Sequence, residues 1–92
     1  MNYFGRSMKL TKEDFEIVYW IHFMQYNNPK QISQQMGISE EKAKSKLKEF
    51  EANGFIEIEY CEGKIYGSQL TEKGKEIWND SKYNNWKKEL GY

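Results

Sequence analysis

The sequence holds one cysteine and one proline in 92 residues, and one histidine. A lone Cys61 excludes a disulfide within the chain and a cysteine-rich zinc site. With only His22 beside it, an all-protein metal site lacks nitrogen and sulfur ligands. Such sparing cysteine usage fits a reducing, cytoplasmic setting. No apolar run approaches the roughly 18 residues of a membrane span. The opening residues lack the basic-then-apolar pattern of a secretory leader. Net charge is missing too, since 14 Lys and Arg balance 14 Asp and Glu. The bulk basic excess of a non-specific polyanion binder is therefore absent, which leaves room only for a local basic stripe. There is no glycine-rich phosphate loop, no metal-ligand spacing, and no Ser/His/Asp set beyond the lone histidine. Asp14 and Asp80 form no obvious carboxylate pair with the scattered glutamates. The expectation is a chain that is no enzyme and needs no cofactor or metal.

Large rings are what the sequence has. Trp, Tyr and Phe make up 16% of it, enough to fill one modest core and to argue against disorder. Residues 1–10 show no period and read as an arm, with Arg6 and Lys9 as its cations. Residues 11–92 read as one domain. Thr11 is placed to cap a first helix over residues 12–27, with Glu13 and Asp14 in its first turn. Its apolar groups run nearly all round, which predicts burial on more than one side. A contact with a second subunit is the natural way to cover both. Asn27-Asn28-Pro29 stops that helix, and Pro29 suits the first turn of a short second one. Gly37 ends the second helix where a left-handed residue is wanted. Ser39 caps a third, whose apolar stripe is Ala43, Leu47 and Phe50.

Asn53-Gly54 closes that helix, and Ile56 to Tyr60 then alternates with period two. Glu62-Gly63 makes a tight turn, and Lys64 to Gln69 pairs back. Thr71 caps a last helix. Its polar middle, residues 79–85, is where it breaks or needs a partner. The predicted class is mainly α with a β-hairpin, in the order helix, helix, helix, strand, strand, helix.

Ile32, Met36, Ile38, Ala43 and Leu47, locked across the Gly37 turn, are followed by the Asn53-Gly54 stop and the hairpin. With these residues the sequence resembles winged helix-turn-helix DNA-binding proteins, from Pro29 to Ile56. The stretch Leu70-Thr71-Glu72-Lys73-Gly74 to Ile77 is similar to the strand-to-helix junction of the MarR and PadR groups. In size the chain also resembles the small centromere-binding adaptors of tubulin-type plasmid partition systems. The resemblance implies a homodimer on double-stranded DNA. It would act as a transcriptional regulator, or as a segregation adaptor with a cytomotive GTPase as partner.

On that expectation the third helix reads DNA through Ser39, Glu41, Lys42, Lys44, Ser45, Lys46 and Lys48. Lys30 and Gln31 of the second helix and Lys64 at the wing tip add contacts. Glu41 would accept from a cytosine amino group, since a carboxylate repels phosphate. Phe15, Tyr19, Phe23, Trp78, Trp86 and Leu90 are the expected dimer residues, on the first and last helices. The acidic wing, with Glu57, Glu59 and Glu62, departs from the basic wings of the resembled groups. It keeps a second class open, a winged helix that binds a protein instead of DNA. Cys61 reads as a plain strand residue.

Overall fold

The first helix opens on a reciprocal cap. The Thr11 hydroxyl accepts from the Asp14 amide at 3.1 Å, and the Asp14 carboxylate accepts from the Thr11 amide at 3.0 Å. This capping box satisfies two donors that a helix start leaves orphaned, and it opens α1, Lys12–Phe23. The computed structural model describes residues 9–23 and 27–91. Most of the expected arm, Arg6 included, and residues 24–26 of the first predicted helix lie outside the described residues; Asn27, which the prediction counts in that helix, is not helical.

Helix α2, Pro29–Met36, begins at an Asn28 cap, whose side-chain oxygen accepts from the Gln31 amide at 2.9 Å. It ends at Gly37 with φ 68°, the left-handed turn that the spacing predicts. Helix α3, Glu40–Ala52, begins at Ser39, whose hydroxyl accepts from the Lys42 amide at 3.0 Å. Ala43, Leu47 and Phe50 are fully buried on one face of α3, against Ile32 of α2 and Phe15, Ile17 and Val18 of α1. Met36 and Ile38 close the edge of this core, half-buried.

Strands β1, Ile56–Cys61, and β2, Lys64–Leu70, form an antiparallel ribbon. Glu62 and Gly63 both take positive φ, 52° and 77°, the twist-matched geometry of a two-residue hairpin. A bulge between Glu59 and Tyr60 shifts the register, so the base pairs Ile56 with Leu70 and the tip pairs Tyr60 with Ile65. No third strand flanks the ribbon among the described residues; asparagine side chains tie it to the helices instead. Asn27 Nδ2 donates to the Ser68 carbonyl at 3.1 Å, and the Ser68 hydroxyl donates back to the Asn27 carbonyl at 2.7 Å.

Helix α4, Glu72–Asn79, starts under the end of α3. The Thr71 hydroxyl accepts from the Gly74 amide at 3.1 Å and donates to the Gly54 carbonyl at 2.6 Å. A Cβ at Gly74 would lie 2.1 Å from the Phe55 carbonyl oxygen, so only glycine lets this helix approach so closely.

The last predicted helix does break. Asp80 ends α4, a 3-10 turn follows over Ser81–Tyr83, and α5 runs Asn84–Glu89. This break corrects one dimer assignment. Phe15 is 0% exposed, enclosed by its own chain. Its ring stacks on Trp78 at 5.5 Å and meets Tyr83 at 5.1 Å and Trp86 at 5.8 Å. The folded-back C-terminal segment thus covers the side of α1 assigned to a partner. Tyr19, Phe23 and Trp78 remain at a half-open aromatic surface beside His22, with Phe23 46% exposed. Leu90 and Trp86 are half-buried against the core. Among the described residues no helix is long and apolar enough to cross a membrane.

Candidate nucleic-acid interface

Helix α3 carries Lys42, Lys44, Lys46 and Lys48, one lysine at every second position. At 100° per residue such spacing sends 42 and 46 to one flank and 44 and 48 to nearly the opposite one. The first pair faces the start of α1. Lys46 Nζ lies 2.8 Å from the Asp14 carboxylate, which is almost fully buried, and Lys42 Nζ lies 3.1 Å from Glu13. The Asp14 carboxylate against it is the main reason the Lys46 ammonium is held above its ordinary pKa. Lys46 is therefore a structural cation and not a free contact. Its assignment to DNA is corrected, and Lys42 shares its exposed ammonium with Glu13.

The second pair is open. Lys44, Ser45 and Lys48 are exposed together with Glu41. Lys44 and Glu41 also line a groove of about 490 Å³ that begins where α2 and α3 begin. Lys30 enters this groove from α2, and Lys64 from the wing tip with Gly63 and Ile65. Three expected cations from three elements thus converge on one opening, with Glu40 and Glu41 as its acidic wall. Ser45 and Lys48 continue the same exposed face of α3 outside the groove. The Ser39 hydroxyl accepts the cap bond of α3, and Gln31 is half-buried with its backbone N–H donating to the Asn28 side chain.

Two contributors escape a reading of sequence alone. Asn28 is more than a helix stop: it caps α2, and its Nδ2 donates to the Tyr66 carbonyl at 3.4 Å. The groove's α2 wall is thereby hung on β2. Glu40 lines the groove beside Glu41, where composition shows only an acid that suits a helix start. Elsewhere, His22 is held below its ordinary pKa, first by burial and then by the Lys75 charge. Cys61 is exposed on the wing. Among the described residues no group of three His, Cys, Asp or Glu is placed to hold a metal ion.

Three helices, a tight turn before the third and a two-stranded wing define a winged helix-turn-helix. Among solved structures the chain is similar to Streptococcus pneumoniae FabT in complex with DNA, at TM-score 0.71 and 20% identity. The match covers 84% of this chain and 55% of FabT, so the chain spans about half of that neighbour's length. At this identity the likeness is one of fold. No protein-family model matches the sequence, and no curated protein matches it.

Proposed function

We propose that this chain binds double-stranded DNA, with α3 in the major groove and the wing tip on the adjacent backbone. The observation that carries the reading is the open face of Lys44, Ser45 and Lys48, continuous with a groove that Lys30 and Lys64 also enter. Among the described residues none of these four lysines is taken by an ion pair. Ammonium groups displace counterions from phosphate, and Lys or Ser on such a face reaches base edges. That FabT, similar in fold, was crystallised with DNA supports the same use of the fold.

The finer reading is a homodimer that places two α3 helices on one pseudo-palindromic site. Tyr19, Phe23 and Trp78 would supply the contact, extended by the outer edges of Trp86 and Leu90. Repression of transcription and plasmid or phage segregation both use such a dimer, the latter with a cytomotive GTPase. Sedimentation at high micromolar concentration tests it, and an 11.1 kDa monomer there removes the dimer.

The test of DNA binding is a salt titration with duplexes. The parent should show a steep log–log slope, and Lys44→Ala with Lys48→Ala should lower that slope by about two. Lys64→Ala should weaken binding without altering sequence preference. A folded double variant that binds as tightly as the parent at two salt concentrations ends the proposal. The exposed Glu57, Glu59 and Glu62 of the wing favour the second reading, docking of a protein, and that reading predicts no salt-dependent duplex binding.

A further inference from the structure

Asp14 is 1% exposed, on the opposite flank of α3 from the DNA-facing lysines. A carboxylate so placed is costly unless it is paired and hydrogen-bonded. One oxygen closes the α1 cap, and the other meets Lys46 at 2.8 Å. One turn earlier on α3, Lys42 meets Glu13. Two lysines four residues apart are thus clasped by two adjacent acids in the first turn of α1.

Helix α3 is also held by apolar packing of Ala43, Leu47 and Phe50, by the Tyr60 hydroxyl, which donates to the Glu51 carboxylate at 3.2 Å, and at its far end by bonds to the Asn53 and Gly54 carbonyls. Apolar burial is non-directional. It fixes how close α3 lies and which face turns inward, and a polar contact on the flank adds resistance to a small roll. Rolling α3 away from α1 would strip the Asp14 oxygen, which has no hydrogen-bond donor among the described residues, of the Lys46 charge that offsets its burial. Rotation is what base reading is sensitive to. A roll of about 20° moves side-chain ends, roughly 5–6 Å from the axis, by about 2 Å. A base-edge hydrogen bond is lost over less than that.

We propose that Asp14 and Lys46 are positioning residues: their buried pair fixes the roll of α3 and thereby the sequence discrimination of its outer face, without touching DNA. This rests on the DNA-binding reading above. Phosphate contacts by flexible lysines survive a small roll, whereas base contacts do not. The pair therefore governs specificity more than affinity, and a merely structural pair would govern neither once the protein is folded.

The experiment uses a duplex selected by the parent from a random library, and a scrambled duplex of equal length. Binding to both is measured at two salt concentrations, and the fold is monitored by circular dichroism. Asp14→Asn should cut the ratio of selected to scrambled affinity by about tenfold or more. Its scrambled affinity and salt slope should match the parent's. Lys46→Arg, which preserves the pair, should keep the ratio. Should Asp14→Asn not fold, Lys46→Gln, which removes the cation of the pair, reads the same ratio. A folded Asp14→Asn or Lys46→Gln protein with the parent's ratio overturns the positioning role alone. A parent that binds both duplexes alike also overturns it. A parent that binds neither overturns the DNA-binding reading as well.

Discussion

The two lysine pairs of α3 have the same residue type, the same spacing and the same helix, yet different fates. Lys42 and Lys46 are drawn to the acidic first turn of α1, while Lys44 and Lys48 face solvent. The difference comes from what stands opposite each flank. A basic helix is thus no measure of a basic surface. Here about half of its charge is consumed in holding the helix, and the other half remains for a partner.

The comparison collapses entirely if the frame holding α3 is opened. Gly74→Ala pushes a methyl group into the Phe55 carbonyl and should cost about 3–4 kcal/mol, a large overpacking value, read by urea unfolding. Next comes the pinned pair. Lys46→Met leaves Asp14 buried without its cation and should cost about 2–3 kcal/mol, somewhat below a fully enclosed pair because Lys46 lies at the edge. The open pair should behave oppositely. Lys44→Ala with Lys48→Ala should change stability by less than about 0.5 kcal/mol in the same unfolding assay, and a loss like that of Lys46→Met would erase the distinction.

Smaller effects appear with pH. Lys46 titrates above its ordinary value of 10.5 in the fold. Its contribution is complete below pH 10.5 and disappears as pH rises through the folded value. Lys46→Met should lack that alkaline loss, whereas Lys44→Ala should retain it. His22 has the opposite sign. Its folded pKa lies below 6.5, so its contribution is full above pH 6.5 and is lost as pH falls below it. His22→Gln should flatten the melting temperature in that acid range.

Local chemistry was the legible part of the fold. Thr11, Ser39 and Thr71 cap their helices from the predicted positions, Gly37 takes positive φ, and Ala43, Leu47 and Phe50 line the buried face. Each of these depends on residues within one or two turns. What escaped depends on distant partners. The sequence pattern points Phe15 at another subunit because nothing near it in the chain shows that Trp78, Tyr83 and Trp86 return to cover it. Spacing alone sends Lys46 to DNA because Asp14 lies in another helix, brought near by the packed core. In the candidate site, the lysines at 30, 44 and 64 could be picked by type and spacing, while their convergence needed the hairpin's placement through Asn27 and Asn28.

The bulge between Glu59 and Tyr60 divides the wing into a base anchored by Ile56 and Leu70 and a tip with exposed side chains. The tip is therefore a replaceable cassette. Residues 61–64 can change in length, charge or turn type while the buried registers below the bulge stay in place. The wing can be retuned toward a new partner at little risk to the scaffold, and the same freedom makes it a natural point for grafting a foreign loop.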